Sequence, residues 1–258
     1  MVYMSQNIGE QNEIFLKVFL LMMFYKKKPL RGNHGIGIVK SLKFSPDGKL
    51  PEWKDKYEIM LKNRDYNSLK KIFPKAPTGS KADLEINGVR YSVKNGLGAK
   101  SAIVNHTNRL GFLRVFNLLN NDIKKLDKIV KEYWVKRISG KIKEDVNNKD
   151  INSPFSKHKE YLKPILEYFI FTGTGSKNSS FPADKMLIFK EPEDTENYII
   201  LNKSQAVDSI WDNLIFSIRS KKGMPNVYNP LIHKELSSWV RNFQSSEKSP
   251  KGALHIRS

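Results

Sequence analysis

Cysteine is absent from this 258-residue chain. Disulfides, thiolate zinc sites and a cysteine nucleophile are thereby excluded. Acidic residues are scarce beside basic ones, 26 Asp+Glu against 45 Lys+Arg, which leaves a formal charge of +19. An excess of that size points to a polyanion, most simply nucleic acid, because each neutralised phosphate releases counterions. Ribosomal-type binding, membrane-surface binding and enzymatic action on DNA or RNA all remain open on charge alone. The apolar run Ile14 to Tyr25 is interrupted by Lys17 and falls short of the roughly 20 residues a bilayer-spanning helix needs. Glu10 and Glu13 precede it where a signal peptide would carry a basic region. The expectation is a soluble, cytoplasmic protein without a membrane partner. No Walker ending, no G-x-G-x-x-G signature and no repeat period occurs in the chain.

What is present supports a packed core, since hydrophobic residues make up 39% and aromatics 11%. Residues 7–25 are expected to form a helix largely surrounded by core, with Glu10, Glu13 and Lys17 recurring as one polar stripe. That stripe reads as a surface pair, Glu13 with Lys17, or as a face from which Glu10 or Glu13 completes a metal site. Lys26-Lys27-Lys28-Pro29 ends the helix, and a glycine-rich loop leads to a short strand around Ile38–Leu42. His34, alone in that loop, reads as solvated. Mixed helix and loop follow from Tyr57 to Phe73, then a Pro/Gly/Ser connector over 74–80.

Further on, Asp122 is placed to cap an amphipathic helix with Leu126, Ile129, Val130, Tyr133 and Trp134 on its inner face. The polar stretch Lys141 to Ser156 reads as a linker between an N-terminal part (1–145) and a C-terminal α/β part (146–258), unless one continuous domain spans both. A second apolar helix, about Tyr161–Phe171, tolerates Pro164 only in its first turn. Strands are expected at Met186–Phe189, Tyr198–Leu201, Leu214–Arg219 and Ala253–Arg257, with a helix at Leu231–Phe243 that turns Trp239 inward.

The most informative stretch is Lys81 to Leu97. Asn87-Gly88 sits between two short runs rich in Ile, Val, Leu and Tyr, a strong signal for a two-residue hairpin turn of the I′ type. With that turn, Ile86 faces Val89, Glu85 faces Arg90, Leu84 faces Tyr91 and Asp83 faces Ser92. Alternation then puts Asp83, Ser92 and Lys94 on one side of the sheet. A carboxylate with a nearby backbone carbonyl can hold Mg²⁺, and a lysine beside it can orient water and stabilise phosphoryl charge. The plainer alternative is an exposed hairpin carrying Asp83 and Lys94 as edge charges. Lys100 and Ser101, in the glycine-bearing loop after the hairpin, could meet a phosphate. Lys177 and Asn178 lie in a second Gly/Ser/Thr loop, and Arg219, Lys221 and Lys222 in a basic turn.

Asp83, a short hairpin, then Ser92-Val93-Lys94 resembles the PD-(D/E)XK nuclease motif, in which an Asp is followed along the sheet by acid-x-Lys. The extension through Asn95-Gly96-Leu97-Gly98 to Asn105 is similar to Type II restriction endonucleases, especially HpaII-like ones. The Gly9-Glu10-x-x-Glu13 helix and the closing run from Lys251 to Arg257 also resemble that group. The resemblance implies an α/β fold, a mixed central sheet flanked by helices with the hairpin at its centre. It implies Asp83 as principal Mg²⁺ ligand, the Val93 carbonyl as a second, and Lys94 positioning the attacking water. Ser92 stands where the family has Asp or Glu, so a one-metal site or a substitute acid follows. Glu13, then Glu10, then Glu85 are the candidates, though Glu85 opposite Arg90 reads more simply as a cross-strand ion pair.

The implied activity is Mg²⁺-dependent, sequence-specific hydrolysis of both strands of duplex DNA, leaving 5′-phosphates. A companion DNA methyltransferase is implied as a functional partner. A homodimer is the expectation, since palindromic sites match two-fold symmetry, with a monomer as the alternative. Two alternatives stand beside this: a basic nucleic-acid-binding module without catalysis, and a repair or junction-resolving nuclease of the same fold.

Overall fold

The computed structural model describes residues 8–73, 77, 79–96, 102–220, 233–241 and 250–258. In chain order its elements are α1 (Ile8–Lys26), β1 (Pro29–Leu30), β2 (Gly37–Ile38), β3 (Leu42–Lys43), α2 (Lys56–Lys62), α3 (Tyr66–Ile72), β4 (Leu84–Ile86), β5 (Val89–Asn95) and β6 (Ala102–Asn108). They continue as α4 (Arg109–Leu118), α5 (Lys124–Ile138), β7 (Val146–Asn147), α6 (Lys159–Glu167), β8 (Lys185–Phe189), β9 (Ile199–Leu201), α7 (Lys203–Ile210), β10 (Ile215–Ser220) and β11 (Lys251–Arg257). The chain is mixed α/β. No described helix is long and apolar enough to cross a membrane.

The chain packs as two units, divided at other places than the expected boundary at 145/146. The first comprises 1–99, 171–173 and 178–206; the second comprises 100–170, 174–177 and 207–258. The first unit holds a five-stranded sheet in the order β3-β4-β5-β8-β9. Its β5–β8 pair is parallel and its other pairs are antiparallel. Asn87 and Gly88 sit at φ +52° and +80°, the left-handed geometry that a I′ turn demands and that glycine adopts without strain. The register is the expected one over three pairs: Ile86 faces Val89, Glu85 faces Arg90 and Leu84 faces Tyr91. The expected fourth pair, Asp83 with Ser92, is not part of the ladder, because Asp83 lies in the bend before β4.

Asn87 also ties the turn to the preceding segment. Its Oδ1 accepts from the N–H groups of Lys40 (2.7 Å) and Ser41 (3.2 Å), and its Nδ2 donates to the carbonyls of Ile38 (2.9 Å) and Ile36 (3.3 Å). The strand expected around Ile38–Leu42 is accordingly split: Gly37–Ile38 pairs with β1, and Leu42–Lys43 pairs with β4. Helix α1 is apolar nearly all round, as a core helix must be. Ile14, Phe15, Val18, Phe19, Leu20 and Leu21 pack in one cluster with Leu84, Ile86, Tyr91, Val93, Leu187 and Phe189.

The second unit holds a four-stranded antiparallel sheet in the order β6-β11-β10-β7. Leu126, Ile129, Val130, Tyr133 and Trp134 of α5 are all buried, as the 3.6-residue periodicity requires. The N-cap of α5 is Ile123 rather than the expected Asp122; the Asp122 carboxylate, one residue earlier, accepts the N–H of Lys124 at 2.9 Å. The stretch expected to be a linker is folded: Ile142, Val146, Asn148, Ser153 and Phe155 are buried, and Phe155 stacks on Phe216 at 4.1 Å. Pro164 lies inside α6, past the first turn, and a π turn over Tyr168–Thr172 follows. Trp239 is fully buried as expected, but the helix around it is a short 3₁₀ segment, Lys234–Ser238. Residues 231, 232, 242 and 243 of that expected helix lie outside the described residues.

Candidate active site

Asp83 occupies the bend just before β4, and its own N–H donates to the Tyr91 carbonyl at 2.9 Å. That bond ties the Asp83 backbone to β5 at the residue that already pairs with Leu84. Asp83 Oδ2 accepts the N–H of Val93 at 2.7 Å. The expected juxtaposition of Asp83 with the Ser92-Val93-Lys94 run is therefore present, held by the backbone rather than by solvent-exposed side chains. Ser92 is buried, Val93 turns its side chain into the core, and Lys94 is half-buried.

Four charged groups besides Asp83 converge here. Burial raises the Asp83 carboxyl, the Glu13 carboxylate raises it further, and the net position is about 6; Lys94, the Val93 N–H and Lys17 act in the opposite direction. Glu13 thus reaches the hairpin from α1, far away in sequence. Lys17 is 0% exposed and its ammonium meets Glu13 Oε1 at 2.7 Å. The expected i,i+4 pair forms, but its lysine is buried and its glutamate, 24% exposed, lies at the edge of the core. Lys81 is the fifth group: burial, and then the ammonium of Lys94, lowers it to about 8, against the pull of Asp83.

Sequence reasoning missed Lys81 and the burial of Lys17. Lys81 stands two residues before Asp83, the one spacing in the sequence that could have placed it on the same side. Its N–H is held by the Phe181 carbonyl (3.0 Å) and Ser179 Oγ (3.1 Å). For Lys17 the signal was the unbroken apolar sequence around it, which leaves no solvent-facing stripe wide enough for a lysine.

The remaining candidates are elsewhere or otherwise engaged. Glu10 accepts a hydrogen bond from the Tyr66 hydroxyl at 2.8 Å. Glu85 does face Arg90, but the expected ion pair between them does not form. Glu85 pairs with Lys43 across to β3 at 3.0 Å. Arg90 instead grips Asp184 with Nε at 3.0 Å and Nη2 at 2.8 Å, a two-pronged geometry that a single neighbouring glutamate does not outcompete. Lys177 and Asn178 are exposed in a turn closed by the Gly173–Asn178 bridge. Arg219 is tied to Asp145 at 2.8 Å and to Ser217 Oγ at 3.0 Å. Lys100, Ser101, Lys221 and Lys222 lie outside the described residues.

Among the described residues no group of three or more His, Cys, Asp and Glu side chains is arranged to hold a metal ion. Two carboxylates, Asp83 and Glu13, are near enough for the charge of Glu13 to raise Asp83. Such a pair suits Mg²⁺, which keeps several waters and takes one or two carboxylates plus substrate phosphate oxygens. Comparison of the chain with family models, with characterised proteins and with solved structures returns no match.

Proposed function

We propose that the chain is a nuclease with a restriction-endonuclease-like core, a Type II enzyme hydrolysing both strands of a short specific sequence in duplex DNA. One observation carries this reading: a raised carboxylate, Asp83, locked to the peptide of Val93, lies in the field of Glu13 and of the lysine next along the strand. The five-stranded sheet with α1 packed on it would be the nuclease core, and the hairpin lies at its middle strands.

Asp83 and Glu13, with the Val93 carbonyl, would hold Mg²⁺. When bound, that ion supplies positive charge to the scissile phosphate and a more acidic water. Lys94 orients the attacking water and stabilises the charge that grows on the non-bridging oxygens. Lys81 adds a second ammonium on the same side, so the site presents cations to a phosphodiester even though Ser92 contributes no acid. Lys17 neutralises Glu13 from within and keeps it aimed at Asp83. The second unit carries 24 Lys+Arg against 12 Asp+Glu, the first 21 against 14, so the polyanion affinity implied by the total charge is weighted to the second unit.

The direct test is digestion of unmethylated phage DNA with Mg²⁺ and with EDTA, followed by sequencing of the fragment ends. Discrete fragments with 5′-phosphates, in Mg²⁺ alone, are expected. A smear, or cutting only at branched substrates, would replace the reading with a repair or junction enzyme. Tight binding with no cutting would leave a nucleic-acid-binding module.

A further inference from the structure

The outer face of α5 carries Lys124, Lys128 and Lys131 at i, i+4 and i+7, all exposed and opposite the buried stripe of Leu126, Ile129, Val130, Tyr133 and Trp134. None of the three makes an ion pair with a described residue, and the acids nearby are already committed. Asp127 holds Arg109 through both oxygens, at 2.9 and 2.8 Å, and also accepts from the Trp239 indole at 2.6 Å. Glu132 pairs with Lys136 at 2.7 Å. The Asp122 carboxylate accepts the Lys124 N–H rather than its ammonium. Lys125, one position round the helix, is placed over the Tyr161 ring at 4.9 Å. Lys124 moreover sits in the first helical turn, where the helix dipole repels a cation.

Three uncompensated cations in a row, one placed against the local field, are a charge pattern that an external polyanion completes. From Lys124 to Lys131 the helix rises about 10 Å at about 1.5 Å per residue. Three consecutive phosphates of one strand are two steps of about 3.4 Å apart along the duplex axis, about 7 Å, a span that three long lysine side chains spread over that rise reach by converging on it. We infer that this face of α5 lies along the phosphate backbone of duplex DNA, each lysine on one phosphate, and supplies sequence-independent affinity. The surface belongs to the second unit and the Asp83 site to the first, and the test uses binding without divalent cation, so the two readings can fail independently.

The experiment is fluorescence anisotropy of a labelled duplex of about two helical turns with the full chain in EDTA, titrated at several NaCl concentrations. The variant K124Q/K128Q/K131Q is compared with K54Q/K56Q/K71Q, which removes the same charge from exposed lysines elsewhere. The α5 variant should lower the slope of log K against log salt by about 2.7, about 0.9 for each phosphate that is no longer neutralised. Its affinity near 0.1 M salt should fall at least about tenfold, and K124R/K128R/K131R should bind like the parent chain. Equal losses from the two glutamine triples would reduce the effect to bulk charge and overturn the proposal. So would undiminished duplex binding by the α5 variant, whether or not its binding to a single-stranded RNA of the same length declines.

Discussion

Asp83 and Lys17 show how much stability this site gives up. Folded Asp83 holds its proton more tightly than the unfolded chain does, with burial and Glu13 raising it from 3.8 to about 6. The stability linked to it is therefore present in acid and is lost as pH rises through that window. At neutral and alkaline pH the ionised carboxylate burdens the fold. Asp83→Asn keeps an oxygen for the Val93 N–H without the charge, so its Tm should exceed that of the parent chain near pH 8, with the gap closing toward pH 4. A lower Tm for the variant near pH 8 would contradict the assigned environment. Lys17 is the converse case, a buried cation whose partner is already in place. Lys17→Met leaves Glu13 facing Asp83 without its neutralising ammonium and should cost about 3 kcal/mol, read from urea unfolding; a loss below about 1 kcal/mol would place Lys17 outside the core pair.

At the scale of elements, the hairpin joins local information to distant information. Asn87 serves the turn through its positive φ and the β2–β3 segment through four hydrogen bonds. At about 0.5–1.5 kcal/mol each, and with alanine less at ease in the left-handed region, Asn87→Ala should cost about 2–6 kcal/mol by denaturant midpoint. At Gly88 an added Cβ meets nothing within 4 Å, so the loss for Gly88→Ala should be limited to backbone strain, about 1 kcal/mol. The hairpin, its register and the inner face of α5 were legible in the sequence because turn chemistry and a 3.6-residue period are local properties. What was hidden is non-local. Glu85 and Arg90 face each other as read, yet Lys43 and Asp184, from other strands and loops, take them. The stretch 141–156 is polar in composition, but its few apolar residues, Ile142, Val146 and Phe155, are among the buried ones. Pro164 is accommodated beyond the first turn of α6, a cost that intrinsic preference alone would forbid. Of the site, Asp83 and Lys94 could be read from one hairpin. Glu13's approach, Lys17's burial and Lys81's proximity needed the packed helix.

Over the whole molecule, two features converge on one chemistry. The chain carries +19 in total, enough to draw a polyanion to it, and one place in the first unit gathers carboxylates and ammonium groups around a strand peptide. Charge alone would account for binding; only that gathering would account for the proposed hydrolysis, so the two should separate under mutation. The measurement that separates them is cleavage of unmethylated duplex DNA with Mg²⁺ by Asp83→Ala and by Lys94→Ala, with duplex binding measured on the same preparations. Cutting should fall below detection in both variants, with affinity for the duplex within a few-fold of the parent chain. Continued cutting by either variant, or loss of cutting only together with loss of folding and binding, would contradict the assignment of Asp83 and Lys94 as the groups that act on the phosphodiester.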